Sequence, residues 1–275
     1  MKEYFVYGTN LAETYHCSLV GLYQEGEIVA CPDYNTNQKE ISMTIVTEHP
    51  LMEPRISALF AGGPDDLEQY VQEMTDGILD FEVDRGNWKY TYHQRMTSFP
   101  VDPNVFKLET PTADQIQFVI EDLKRNPDSR RAVINIRDNS SDMYSADPAC
   151  LQHMQFFIRN GALHLKALFR SNDACKAAFM NMYALVAIQE KVANALNIPV
   201  GSYTHRANSY HCYERDFGLL EGYIKRIKDK NGNITTYFNR DNTYFLNGEW
   251  DEMMEEAKPK IAAKVEDLKN RTTTD

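Results

Sequence analysis

Gln155 to Arg159 and Ala162 to Phe169 are two strand-like runs separated by Asn160-Gly161. An Asn-Gly pair accepts the positive φ of a two-residue turn, so this segment predicts a β-hairpin and an antiparallel pair within whatever sheet the chain builds. The surrounding pattern is mixed. Glu40 to Thr47 alternates and is rich in β-formers, which predicts a strand, and Arg131 to Arg137 reads likewise. Asp65 to Leu79, with Leu67, Tyr70, Val71, Met74 and Ile78 near helical spacing, predicts an amphipathic helix, as does Ala113 to Lys124 with Ile116, Phe118, Val119 and Leu123. Met182 to Leu196 is strongly apolar, which suits a buried helix, and Phe217 to Ile227 reads as another. Strands and helices without regular βαβ alternation indicate an α+β protein. With no repeats, low-complexity tracts or Pro/Gly-rich linker, a single domain over 1–275 is expected. Its charged last segment, 250–275, is expected to fray, with Pro259 interrupting any helix there.

The net charge of −11 argues against broad binding to polynucleotide phosphate, which needs a basic surface. A small anion remains compatible, because local arginines can bind one phosphate inside an acidic protein. Three places stand out: Arg130-Arg131, Arg170 and Arg206. No apolar run approaches the ~20 residues of a membrane span, and Met1-Lys2-Glu3-Tyr4 opens no signal-peptide apolar region, so a cytoplasmic protein is expected. The five scattered cysteines do not form a disulfide framework and are read as reduced thiols.

Chemistry concentrates in one strip. Cys150 lies in Asp147-Pro148-Ala149-Cys150-Leu151-Gln152, a loop leading into the hairpin. A nucleophilic cysteine needs its thiolate stabilised, and an arginine does this while also binding an anionic substrate. Antiparallel pairing would return Arg170, on the far arm, close to Cys150. Ser171 adds a hydroxyl donor for phosphate oxygens. Asn181 offers an amide that could read a base edge. Facing N3–H and O4 it suits uracil, and flipped it suits cytosine, so the residue alone permits both. His211-Cys212 lacks a second ligand pair at metal spacing.

These residues together resemble the active-site strip of thymidylate synthases: Pro148 to Gln152, Arg170-Ser171-Asn172-Asp173, Asn181 and His211-Cys212-Tyr213. The likeness spans about Glu53 to Asp216, is strong from Arg130 onward and includes a Tyr90 to Arg95 segment. It implies a mixed sheet covered by helices and one-carbon transfer from 5,10-methylenetetrahydrofolate, or a related pterin, to C5 of a pyrimidine nucleoside monophosphate. By the same likeness Cys150 would add to C6, with Glu53 managing protons through water and Tyr90 standing with them in the catalytic group. Arg170 and Ser171 would hold the 5′-phosphate, joined by Arg130 and Arg131 reaching across the interface of a homodimer with shared active sites. His211 and Tyr213 would hold the sugar hydroxyl, Asn181 the base and Asp173 the pterin ring.

Departures from the family bear on the reaction. Leu151 stands where most members carry histidine, as in some archaeal-type synthases. Asn35 to Lys39 stands near the place of an N-terminal phosphate loop, where Lys39 could substitute for its arginine. The shielding tryptophans have no counterpart by position, Trp88 being too close to Tyr90, and the chain ends Thr273-Thr274-Asp275 instead of with an apolar tail. Water exclusion decides whether the activated C5 carbon ends as methyl or hydroxymethyl. Methylation of dUMP to dTMP is the leading expectation, and Asn181 leans toward uracil. Hydroxymethylation of dUMP, dCMP or CMP is the alternative, and a non-catalytic nucleotide-binding relative the third reading.

Overall fold

The computed structural model describes residues 1–56, 60–102, 104, 111–229, 231–234 and 249–271. The chain begins with β1 (Glu3–Gly8), α1 (Leu11–Glu25), β2 (Glu27–Cys31) and β3 (Thr36–Thr47), followed by α2 (Pro64–Asp76), α3 (Phe81–Asp84) and α4 (Tyr92–Thr97). A short ribbon of β4 (Phe99–Pro100) and β5 (Thr112–Ala113) leads to α5 (Gln115–Arg125), β6 (Val133–Asn135) and α6 (Asn139–Asp142). The remainder is β7 (Leu151–Arg159), β8 (Ala162–Asp173), α7 (Ala178–Leu196), β9 (Val200–Tyr213), α8 (Phe217–Arg226) and α9 (Glu249–Asn270).

Seven strands form one sheet in the order β1-β3-β9-β8-β7-β6, with β2 beside the first half of β3. The predicted hairpin is its centre: Asn160 and Gly161 take φ of 53° and 76°, and β7 and β8 pair antiparallel from Leu151 with Phe169 to Arg159 with Ala162. β8, α7 and β9 form a crossover unit, so β8 and β9 run parallel and their carboxyl ends lie side by side. The inward residues of these strands, among them Ile41, Met43, Ile45, Phe156, Leu165, Phe169 and Tyr203, are buried in one core with α1 and α7. On the opposite face Phe5 is 63% exposed and Tyr7 61%, and Lys166 and Asn208 are also exposed. No helix among the described residues is long and apolar enough to cross a membrane.

Several sequence readings change. The Met182 helix starts earlier, at Ala178, and α2 ends at Asp76, where Gly77 adopts φ 65°. The strand expected over Arg131 to Arg137 shortens to Val133–Asn135. Pro259 does not interrupt a helix: α9 runs through it. A proline inside a helix costs about 3 kcal/mol. Here Trp250, Met254, Ala257, Ile261 and Val265 recur every three or four residues and are buried against the body, so tertiary packing outweighs the local cost. Residues 272–275 lie outside the described residues, and with them the end of the segment expected to fray. Asn35 to Lys39 forms no phosphate loop; most of it is the start of β3, and the Lys39 ammonium stands 5.6 Å from the centre of the Tyr23 ring.

Candidate active site

Cys150 is the last residue before β7, and its carbonyl accepts the Arg170 N–H at 2.8 Å, so sheet pairing itself brings the two together. The Arg170 guanidinium clasps the preceding loop, Nε donating to Ala149 O at 3.1 Å and Nη2 to Pro148 O at 2.6 Å. Its Nη1 is left beside Ser171 Oγ at 3.3 Å, and that hydroxyl lies 3.5 Å from the Cys150 thiol. A half-buried thiol, a guanidinium and a hydroxyl thus share one small volume.

The parallel register of β8 and β9 sets Ser171 beside Ser209 and Asp173 beside His211. His211 is buried, and burial pushes its pKa below the usual imidazole value, so the ring is neutral near pH 7. Its Nδ1 lies 3.3 Å from the Ser209 carbonyl, which can only accept, so Nδ1 carries the proton. That leaves Nε2 an acceptor, and it is enclosed without a hydrogen-bond partner among the described residues. Tyr213 packs edge-on against this ring at 4.7 Å, and burial pushes its hydroxyl up to about 12, leaving a neutral O–H donor. Asp173 Oδ1 accepts from the amides of Cys175 and Lys176, capping the turn before α7, while its Oδ2 makes no hydrogen bond among the described residues.

Asn181, 4% exposed, projects from the first turn of α7, where Tyr70 of α2 donates its hydroxyl to Asn181 Oδ1 at 2.5 Å. Tyr70 also lines a cavity of about 450 Å³ together with Tyr90, Tyr92, Trp88, Glu73 and Asp147. Tyr90 and Tyr92 flank Thr91, which caps α4 by accepting from Gln94 N and itself donates to Asp80. Tyr90 lies over the Arg95 guanidinium at 5.4 Å, and the Tyr92 hydroxyl accepts the Leu151 N–H at 3.2 Å. Tyr92, next to the strand that follows Cys150, and Tyr70 both escaped sequence reasoning; the signal available for Tyr92 was its place two residues beyond Tyr90. Trp88, set aside by position, does stand on the cavity wall. A second cavity of about 470 Å³ shares Tyr70 and Glu73 with the first and carries Lys176, Met180, Leu219 and Lys264.

Other expected residues stand apart. Glu53 is held by Arg55, which donates Nε at 2.6 Å and its backbone N at 2.9 Å to the two carboxylate oxygens; no hydrogen bond among the described residues ties it to Cys150. Arg55 continues to Asp251 at 3.0 Å and lies over Tyr183 of α7. Arg130 and Arg131 are exposed between α5 and β6, and neither guanidinium makes a hydrogen bond or ion pair among the described residues. Arg206 is committed elsewhere, paired with Glu3 and hydrogen-bonded to Ser42 and Thr44.

The chain is similar to known proteins along most of its length. A putative thymidylate synthase of Methanocaldococcus jannaschii is 30% identical over 224 residues, covering 78% of this chain and 93% of that protein. One from Methanosarcina mazei is 29% identical over 220 residues, covering 79% and 93%. Among solved structures, the thermostable thymidylate synthase A from Bacillus subtilis superposes with a TM-score of 0.62 at 16% identity, over 87% of this chain and 95% of that one, a likeness of fold. The family model described as thymidylate synthase matches residues 63–262, most of the chain and nearly all of the site built above, and the chain belongs to the thymidylate synthase family of transferases.

Proposed function

We propose that this enzyme transfers a one-carbon unit to C5 of a pyrimidine nucleoside 5′-monophosphate, and that the reaction is methylation of dUMP to dTMP. One observation carries the reading: a half-buried thiol, Cys150, stands 3.5 Å from Ser171 on a loop clasped by Arg170, beside an aromatic cavity whose wall includes Asp147. Arg170 Nη1 and Ser171 Oγ, 3.3 Å apart, offer two donors to one anionic oxygen of a 5′-phosphate. The neutral His211 ring and the Tyr213 hydroxyl packed against it would serve the sugar hydroxyl. With the nucleotide so held, Cys150 sulfur adds to C6, C5 becomes the nucleophile, and Asn181 binds the N3/C4 edge. Glu53, engaged by Arg55, acts through intervening water, and Tyr90 and Tyr92 wall the reacting face.

Methylenetetrahydrofolate or a related pterin supplies the one-carbon unit and, for methylation, the hydride. The second cavity fits such a molecule: Tyr70, Met180 and Leu219 offer contact to a flat ring system, and Lys176 and Lys264 offer charge to an anionic tail. Asp173 Oδ2 is free to accept from ring N–H groups. Homodimerisation belongs to the same proposal. It is supported by the exposed sheet face carrying Phe5 and Tyr7 and by the two uncommitted guanidinium groups of Arg130 and Arg131, which would serve a neighbouring subunit's phosphate.

Hydroxymethylation is the second reading, favoured by the charged side chains of Glu73, Lys89 and Asp147 in the first cavity, which admit water to the reacting carbon. The deciding experiment incubates the protein with methylenetetrahydrofolate and, separately, dUMP, UMP, dCMP and CMP, and identifies products by mass spectrometry. A methyl product with oxidised folate supports the first reading, and a hydroxymethyl product with tetrahydrofolate released supports the second. Cys150→Ala abolishes either; full turnover by this variant would refute the assignment of the nucleophile.

A further inference from the structure

The Tyr70 hydroxyl makes one protein hydrogen bond among the described residues, to Asn181 Oδ1 at 2.5 Å, across 111 positions of sequence. A side-chain amide can exchange its oxygen and nitrogen by a half-turn, so an unsupported asparagine reads uracil and cytosine with equal ease. Tyr70 biases that freedom. In the structure the tyrosine O–H donates to the carbonyl oxygen, which leaves Nδ2 on the other side of the amide. Burial, with the Glu73 carboxylate nearby, pushes the Tyr70 pKa far upward, and the hydroxyl keeps the proton it donates. Asn181 Nδ2 has no protein partner among the described residues and is not among the enclosed unpartnered atoms, which leaves it open to a ligand.

We propose that Tyr70 is a positioning residue that locks the Asn181 amide in one orientation and thereby sets which pyrimidine base the site accepts. The role rests on the nucleotide reading given above. With Oδ1 tied to Tyr70, its remaining lone pair and the Nδ2 donor present a fixed acceptor-donor order. Uracil offers N3–H and O4, cytosine offers N3 and an N4 amine, and these orders are opposite. One base meets complementary groups, and the other meets donor against donor and acceptor against acceptor, which leaves buried groups unsatisfied.

The test is Tyr70→Phe, which keeps the ring and removes the hydroxyl. Dissociation constants of dUMP, dCMP, UMP and CMP are measured by calorimetry without folate, so that binding is read independently of turnover. Wild type should prefer one base by more than tenfold, and Tyr70→Phe should shrink that ratio at least fivefold, chiefly by gain for the rejected base. In an Asn181→Ala background the same substitution should leave the ratio unchanged. A purely structural role would weaken both bases alike, so an unchanged ratio in Tyr70→Phe overturns the proposal, as does a wild type that does not discriminate. A wild type that binds none of the four overturns the nucleotide reading together with this role, whereas nucleotide binding without turnover refutes the reaction alone.

Discussion

His205 lies on β9 fully buried, stacked on Phe169 with ring centres 4.6 Å apart. Its Nε2 is 2.9 Å from Asn172 Oδ1, an acceptor, so Nε2 carries the proton, and Nδ1 accepts from the Tyr203 hydroxyl, also at 2.9 Å. Both nitrogens are satisfied in the neutral ring, and burial pushes the pKa from 6.5 down to about 3. The unfolded chain therefore takes up a proton as pH falls through 6.5, while the folded chain does not until about pH 3. Stability is lost progressively over that window and is flat above it. Between pH 7 and pH 5 the loss from this one residue is about 1.9 kcal/mol, a figure set by the unfolded value and insensitive to how far the folded one lies below 4. His205→Gln keeps a donor and an acceptor but cannot titrate. Urea unfolding of both proteins at pH 7, 6 and 5 should show wild type losing about 2 kcal/mol more than the variant by pH 5. His211, depressed in the same direction, is present in both and cancels. Parallel pH profiles would refute the argument that His205 is held neutral in the folded protein.

Arg95 is 6% exposed and lies 3.5 Å from Asp138 and 3.3 Å from the buried Asp142, so Arg95→Met leaves the Asp142 carboxylate buried without its cation and should destabilise the protein by about 3 kcal/mol in denaturant titration; a change below about 1 kcal/mol would exclude a buried ion pair there. Gly77 has φ 65°, and an added Cβ would meet His93 Nδ1 and Asp80 Oδ2; Gly77→Ala should lower stability by more than about 1 kcal/mol and loosen the Asp80, Thr91 and His93 cluster that carries Tyr90 and Tyr92. Iodoacetamide followed by peptide mass spectrometry should label half-buried Cys150 well before Cys175 and Cys212, which are buried with their sulfurs 3.3 Å apart, and bound nucleotide should protect Cys150; equal labelling would contradict the burial. If Arg131 serves a partner's phosphate, Arg131→Ala should weaken nucleotide binding about tenfold without changing the sedimentation of the dimer; a monomeric protein with full affinity would remove the basis for that role.

What the sequence carried was local. The Asn160-Gly161 turn fixes the β7–β8 pair, and that pair alone suffices to place Arg170 at Cys150. α5 was visible because Ile116, Val119 and Leu123 mark one buried face, although Phe118, read with them, is exposed. β9 and α1 were not, because their buried sides include His205, Thr14, His16 and Ser18, polar groups that interrupt the apolar rhythm and are tolerated because hydrogen bonds satisfy them. α9 was misread because Pro259 weighs heavily in a local reading, while the stripe from Trp250 to Val265 that offsets it acts only against a surface folded elsewhere.

The same division runs through the site. Cys150, Arg170, Ser171 and Asp173 owe their proximity to strand pairing, a relation with a sequence signature. Tyr70 and Asn181 meet because α2 packs beside α7, and nothing in either segment announces the other. That contact joins the Asn181 amide to the wall shared by both cavities. Tyr70 thus touches the proposed base reader on one side and the proposed pterin cleft on the other. On the proposed reading, base choice is a property of the α2–α7 contact as much as of the asparagine, and an asparagine at position 181 does not by itself decide between uracil and cytosine.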